Sequence, residues 1–210
     1  MIRLEHDSPG EMAGAEPLVL DLWNEAAREG TIWVPHTVTN AWAAALRMAL
    51  YRLRSKAEVE LLIDCVGGHA FSFGPCHELW WRWRNRKLIV SDGKSSDSQP
   101  NLKTTSTVIG SARSIGLSCS VCAAHRKAAP DAVFAVHGGM QRFGKRVAAS
   151  ARGIEGLIDQ EDHYIADWLA RFTKRTYAEW LDLVSSEEVR EFGVAEALEW
   201  GVIDKVLEGI

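Results

Sequence analysis

The sequence predicts an α/β fold built on a mostly parallel sheet. Short apolar runs alternate with longer segments whose apolar residues recur at three- and four-residue intervals, the spacing of amphipathic helices. Residues 59–64, VELLID, form a nearly continuous apolar run, which is typical of a strand buried on both faces of a parallel sheet. Repeated strand–helix–strand order therefore predicts an α/β domain with right-handed crossovers.

The first half of the chain begins with a flexible arm. Residues 1–16 are rich in Gly, Pro and acidic residues, whereas residues 17–210 form a single domain. Residues 29–34, EGTIWV, are a short strand, and a helix over residues 39–56 can be capped by Thr39 or Asn40. The strand VELLID ends in a turn at Cys65-Val66-Gly67-Gly68. A helix at 74–86, a strand at 87–90 and a breaker-rich surface loop at 91–101 follow.

The second half continues the alternation. Residues 105–110 predict a strand, residues 113–125 a helix and residues 131–138 another strand. A long helical region is expected from 141 to about 186, with apolar residues at helical spacing between 154 and 172. Residues 194–207 close the chain with a helix, a glycine stop and a short strand.

Composition narrows the class of protein. The 210 residues are 47% hydrophobic and 25% charged, as in soluble globular domains. A net charge of −4 provides no basic excess for a nucleic-acid partner. No apolar window is long enough to span a membrane, and the N-terminus lacks the basic-then-apolar pattern of a signal peptide, so the cytoplasm is the expected location.

Two local motifs have structural interpretations. Residues 80–87, WWRWRNRK, predict an amphipathic helix whose aromatic residues face the core or another subunit; stacking on nucleic acid or binding to a membrane surface is the alternative. The four cysteines, Cys65, Cys76, Cys119 and Cys122, are too few for a disulfide framework. Cys119 and Cys122 form a C-x-x-C pair, a spacing that also occurs in redox and metal sites, but because they lie in an apolar, small-residue run we expect them to pack in a buried helix. No metal or cofactor is expected.

Residues suited to acyl transfer follow three of the predicted strands. Gly67-Gly68, Ser114 and His137 each stand where a strand ends, the place where functional groups collect in α/β folds. A serine hydroxyl is a weak nucleophile unless a base removes its proton, and a histidine is a suitable base. Side-chain-free glycines allow a backbone N–H to approach a developing oxyanion. Ser114 could also be a simple helix cap and His137 a structural residue, so the joint order of the three carries the hypothesis.

The quoted segments resemble the Clp-type serine peptidases (ClpP family), and more distantly the SppA and phage head-maturation peptidases. The resemblance rests on LLIDCVGG, on VIGSARSIGLSCSVCAAHRKAAPDAVFAVHGG and on VAEALEWGVIDKVL, and it extends over most of the chain. It implies a crotonase-like fold of repeated ββα units with a protruding helical handle, here about residues 141–175. It also implies self-association into rings, typically heptamers stacked into a tetradecamer around a proteolytic chamber.

The resemblance also implies roles for individual residues. The family's nucleophile falls on Ser114 and its base on His137, and the backbones of Gly68 and Ile115 are its oxyanion donors. Three positions depart from the pattern: Val66 replaces a proline, Arg113 replaces a small residue beside the serine, and a gapless count places the family's aspartate at Val189. A short insertion would bring Glu188 into the acidic position, which is our prediction. Glu187, Asp182 and a missing third group are the alternatives.

The function that the resemblance implies is that of a serine endopeptidase. It would cut peptides or unfolded proteins through an acyl-enzyme inside an oligomeric chamber, without ATP for its own chemistry. Residues 1–16 show no recognisable axial-pore loops, which argues against docking to an AAA+ unfoldase. Val189 and Arg113 support the alternative of a noncatalytic ring subunit that assembles with an active partner. A crotonase enzyme acting on acyl-CoA is a third hypothesis.

Overall fold

The computed structural model describes residues 29–53, 56–68, 80–81, 103–138, 152–186 and 188–208. The strands in these ranges are β1 (Thr31–Val34), β2 (Thr37–Val38), β3 (Glu58–Cys65), β4 (Gly67–Gly68), β5 (Lys103–Arg113), β6 (His125–Ala128), β7 (Val133–Val136), β8 (Arg190–Phe192) and β9 (Lys205–Val206). The helices are α1 (Asn40–Arg52), α2 (Ile115–Val121), α3 (Arg152–Phe172), α4 (Tyr177–Val184) and α5 (Val194–Glu199).

Seven of these strands form one mostly parallel sheet. Its main path runs β1-β3-β5-β6-β9, while β7 pairs with β5, and β8 pairs with β7. Only the β7–β8 ladder is antiparallel among the pairs described, and β2 and β4 form a separate parallel pair. β5 takes β6 as its neighbour over Thr105–Val108 and β7 over Ser111–Arg113. The predicted α/β class with a mostly parallel sheet is therefore confirmed.

The core lies where β3, β5 and α2 meet. Val59, Leu61, Ile63 and Cys65 are buried on one face of β3, but the residues between them are only half-buried or exposed, so the predicted burial of both faces is wrong. All seven residues of α2 are buried. As expected, Cys119 in α2 and Cys122 at its C-terminal end are buried, and within the described residues neither forms a disulfide.

The carboxyl ends of three parallel strands meet at one edge of the sheet. Cys65 at the end of β3 pairs with Ala112 on β5, and Arg113 at the end of β5 pairs with Ala135 on β7. A register shift between β3 and β5 precedes this edge, and there the Asp64 carboxylate accepts the Ser111 N–H at 2.9 Å and its hydroxyl at 3.0 Å. The turns that follow these strands therefore lie side by side.

The structure refines several predicted boundaries. The predicted helix over 113–125 is confined to α2, and His125–Ala128 form β6, a strand that the sequence did not indicate. The long helical region is two helices, because α3 ends at Phe172 and a capping box at Thr176 and Glu179 begins α4. The predicted arm, the 87–90 strand and the surface loop at 91–101 lie outside the described ranges, as does the beginning of the predicted handle. Of the predicted helix at 74–86, only Trp80 and Trp81 are described, and both are helical.

α3 packs against α2, the helix that follows β5. Trp168 of α3 donates its indole N–H to the Ser118 carbonyl oxygen of α2 at 3.1 Å, and both residues are buried. α3 belongs to the segment predicted as the handle. Through Trp168 it contacts the helix that follows Ser114. No helix within the described ranges has the length and apolar character needed to cross a membrane.

Candidate active site

Ser114 occupies the turn between β5 and α2 in an unusual backbone conformation. Its φ is 53° and its ψ is −118°, and among the described residues no other non-glycine has a positive φ. The conformation is held by two backbone hydrogen bonds: the Ser114 N–H donates to Ala135 O at 2.9 Å, and Ser114 O accepts the Ser118 N–H at 3.2 Å. A strained residue kept in place by its neighbours is typical of functional sites.

The Ser114 side chain does not act as a helix cap. Although Ser114 is the N-cap residue of α2, its hydroxyl accepts no capping hydrogen bond from the helix. A capping serine normally has extended backbone angles and accepts an N–H from the first turn. The structural interpretation of Ser114 as a simple cap is therefore disfavoured. The sharp strand-to-helix turn instead resembles the arrangement that presents a serine nucleophile.

His137 follows β7, the strand beside the carboxyl end of β5. Because Arg113 pairs with Ala135 and Ser114 bonds to the same residue, the parallel register brings Ser114 and His137 to one sheet edge. The Nδ1 atom of His137 lies 2.8 Å from the Gly138 carbonyl oxygen. A carbonyl can only accept, so Nδ1 carries the proton in this contact. Nε2 then holds the lone pair that a general base needs.

Both predicted oxyanion residues border this edge. Ile115 is the first residue of α2, directly after Ser114, and Gly68 lies in β4 opposite Val38. An added Cβ at Gly68 would stand 2.3 Å from the Val38 carbonyl oxygen, so no larger residue fits there. Gly116 is equally constrained, because its added Cβ would lie 2.8 Å from the Cβ of Cys65. The first turn of α2 thus packs directly on the end of β3.

Cys65 does not compete with Ser114 as a nucleophile at neutral pH. Burial raises the pKa of its thiol to about 11, and the thiol donates to the Gly67 carbonyl oxygen at 3.4 Å. Only a thiolate is strongly nucleophilic. In the parts of the chain that are described, no three His, Cys, Asp or Glu side chains cluster as metal ligands would.

The structure describes two of the three predicted acidic residues, Glu188 and Asp182. The β7–β8 register ends at Val136–Arg190, and one step further places the exposed Val189 across from His137. Glu188 is exposed, and its described hydrogen bond is a backbone one, from its N–H to the Ser186 hydroxyl at 3.1 Å. Asp182 is exposed on α4, and Glu187 lies outside the described residues. No described contact joins the carboxylate of Glu188 or Asp182 to His137, and Glu188 as the third member stays a prediction.

Arg113 has a partner that the sequence did not indicate. Its guanidinium forms an ion pair with the Glu191 carboxylate on β8, across Ala135 of the intervening β7 strand. The positive charge beside Ser114 is therefore balanced by a carboxylate from a neighbouring strand. Such a pair could not be read from a separation of 78 positions along the chain.

A buried carboxylate beside His137 was also missed by the sequence reasoning. Asp162 on α3 is 6% exposed, and both of its oxygens would lie 3.2 Å from a Cβ added at Gly138. The available signal was its position: it precedes Ile165 by three residues and Leu169 by seven, on the apolar face of the helix. An acidic residue on a core-facing stripe is rare unless its charge is paired.

Comparisons with known proteins do not assign this chain to a family. The sequence matches none of the protein-family models against which it was compared, and none of the curated proteins is significantly similar to it.

Proposed function

We propose that this chain is a serine endopeptidase with a ClpP-like fold. The observation that carries the proposal is Ser114, whose backbone is held at a positive φ on a strand-to-helix turn while its hydroxyl is not used as a cap. His137, at the end of the adjacent parallel strand, supplies the base, and its Nδ1 contact to Gly138 O orients the ring. The residues imply acyl transfer because a nucleophile, a base and nearby backbone donors form its minimal machinery.

The proposed reaction has two balanced steps. Ser114 Oγ attacks the scissile carbonyl carbon while His137 Nε2 takes the hydroxyl proton, and the C–N bond then breaks as that proton passes to the leaving amine. Water next attacks the acyl-enzyme, gives one proton to His137 and releases the carboxylic acid, and the proton returns to Ser114 Oγ. The amides of Gly68 and Ile115 would stabilise the oxyanion in both steps.

The arrangement of elements supports the crotonase-like part of the proposal. β1, β2 and α1 follow one another as a strand, a short strand and a helix, and β3 and β4 repeat the pair of strands in parallel register with the first. This is the order expected of repeated ββα units. Assembly into a ring, heptameric or tetradecameric, belongs to the same proposal, and light scattering on the purified protein measures it directly.

A serine-directed probe tests the proposed nucleophile. A fluorophosphonate should label the wild-type protein at Ser114, and Ser114→Ala should lose at least about 100-fold of the labelling rate. Ser111→Ala is the matched control, because Ser111 lies on the preceding strand and its hydroxyl is bonded to Asp64. Labelling that is unchanged in Ser114→Ala would refute the assignment.

A noncatalytic ring subunit is the second candidate function. It is favoured by Val189, the residue that stands across from His137 where the resemblance predicts an aspartate. This candidate expects no turnover by the purified chain and activity only after mixing with an active partner. Cleavage of a short fluorogenic peptide by the chain alone, lost in Ser114→Ala, would exclude it.

A further inference from the structure

Gly138, the residue whose carbonyl accepts the His137 Nδ1–H, is enclosed by two helices. A Cβ added at Gly138 would lie 2.2 Å from the carbonyl oxygen of Val184, the last residue of α4. The same Cβ would lie 3.2 Å from each Asp162 oxygen, so the carboxylate of α3 faces the Gly138 backbone. Gly138 therefore lies against both helices, where a side chain has no room.

Burying the Asp162 carboxylate costs free energy that packing does not recover. An ionised side chain that is 6% exposed loses most of its hydration, so its surroundings must compensate with charge or hydrogen bonds. A carboxylate there is expected to serve a purpose that needs its negative charge.

The mechanism proposed above creates a positive charge on His137, the residue that precedes Gly138. When His137 accepts the Ser114 proton it becomes an imidazolium, which the Gly138 carbonyl dipole stabilises only in part. A carboxylate in the same half-buried region adds an attraction that is stronger than it would be in water. Because Trp168 anchors α3 to Ser118, one helix is tied both to Gly138 and to the helix that follows Ser114.

We propose that Asp162, in place of the predicted Glu188, is the acidic member of this site, a positioning residue that acts on His137 through Gly138. It would fix the position of the Gly138 backbone, so that the Gly138 carbonyl keeps the proton of the neutral imidazole on Nδ1, and it would supply the negative charge that Val189 does not. The proposal rests on the proposed peptidase function for its catalytic consequence. Its structural consequence, the tautomer of His137, does not depend on activity.

Asp162→Asn tests the role of the charge with almost no change in volume. We expect kcat for a fluorogenic peptide to fall about 10- to 100-fold with KM changed less than twofold, because ground-state binding does not involve the imidazolium. Imidazole ¹⁵N shifts should show the Nδ1–H form of His137 in the wild type and a mixture of tautomers in the variant. Asp162→Glu, which restores the charge, should recover part of kcat.

Asp167→Asn is the matched control on the same helix. Asp167 pairs with Arg171 at the surface, so its loss should leave kcat and the His137 shifts unchanged. Equal effects of Asp162→Asn and Asp167→Asn would overturn the proposal, as would equal kcat values for Asp162→Asn and Asp162→Glu. If Asp162→Asn does not fold, Asp162→Glu is compared with the wild type instead. A His137 tautomer that is unchanged and a kcat that falls at most tenfold would support the role of the charge. A mixture of His137 tautomers in Asp162→Glu would contradict it.

The two proposals fail in distinguishable ways. If the wild-type protein is neither labelled nor active, the peptidase function fails, and the ¹⁵N shifts alone decide whether Asp162 positions His137. If Ser114→Ala loses labelling while Asp162→Asn matches Asp167→Asn, only the role of Asp162 is wrong.

Discussion

At the scale of single residues, the site depends on backbone positions that few side chains tolerate. Ser114 holds a positive φ, and Gly68, Gly116 and Gly138 each lie where an added Cβ would collide with a neighbour. A non-glycine residue in such a conformation costs about 1–3 kcal/mol. Backbone hydrogen bonds to Ala135 and Ser118 hold Ser114 in this conformation despite that cost.

The strain at Ser114 can be measured without an activity assay. Ser114→Gly and Ser114→Ala both remove the hydroxyl, but only glycine adopts the positive φ freely. We expect Ser114→Gly to be more stable than Ser114→Ala by about 1 kcal/mol in urea unfolding. At Ser111, where φ is not positive, the glycine variant should be no more stable than the alanine variant. The same order at both positions would mean that Ser114 is not strained.

At the scale of elements, α4 begins where its sequence specifies. The Thr176 hydroxyl accepts the Glu179 N–H at 3.3 Å, and the Glu179 carboxylate accepts the Thr176 N–H at 2.7 Å, a complete capping box. The backbone and side-chain hydrogen bonds from Thr176, in that order, lower the pKa of Glu179. This start matters for the site, because the other end of α4 places the Val184 carbonyl against Gly138.

Removing the cap should weaken α4. We expect Thr176→Ala to lower the free energy of unfolding by about 1 kcal/mol, since an N-terminal N–H loses its acceptor. Asp182→Ala, on the exposed side of the same helix, is the control and should change stability by no more than about 0.5 kcal/mol. Denaturant midpoints measure both. A Thr176→Ala protein as stable as the Asp182→Ala protein would show that the capping box contributes nothing.

At the scale of the whole molecule, one arginine connects three distant parts of the chain. Arg126 on β6 forms a forked pair with Asp204, at 2.6 Å from Nη2 and 3.2 Å from Nε, and also donates to the Phe172 carbonyl at the end of α3. The C-terminal segment is thereby fastened to the sheet beside β9. Burial raises the pKa of Asp204, but the hydrogen bonds and charge of Arg126 together outweigh it and lower the pKa below its usual value of 3.8.

The pair should make stability depend on pH in the acid range. Because the folded-state pKa of Asp204 is the lower one, the unfolded chain binds the proton first, and the contribution of Asp204 is lost as pH falls below about 4. We expect Asp204→Asn to cost roughly 1 kcal/mol at pH 7, and the gap to the wild type to narrow as pH falls below about 4 toward the lowered folded-state pKa of Asp204. Asp131→Asn, in an exposed turn, is the control. A gap that persists unchanged at pH 3 would contradict the role of the charge.

A feature could be predicted from the sequence when the residues that cause it lie within a few positions of one another. Strands β1, β3, β5 and β7 and the C-terminal helix were predicted, because apolar runs and turn residues are visible within a few positions. β6 was missed, since HRKA carries no strand pattern of its own and gains its place by pairing with β5. The Arg113–Glu191 pair and the approach of Asp162 to Gly138 join distant positions of the chain, so no local sequence pattern predicts them.

By itself, the sequence determined the α/β class and the order of turn, serine and histidine along the chain, because hydrophobic periodicity and breaker residues act over short distances. Tertiary structure alone decided that Ser114 takes a positive φ, that His137 follows the neighbouring strand and that the β7–β8 register ends one step before His137 and Val189. It also decided that a buried carboxylate from α3 faces Gly138. The physical reason is that strand register and helix packing are set by the whole core, which no short segment encodes.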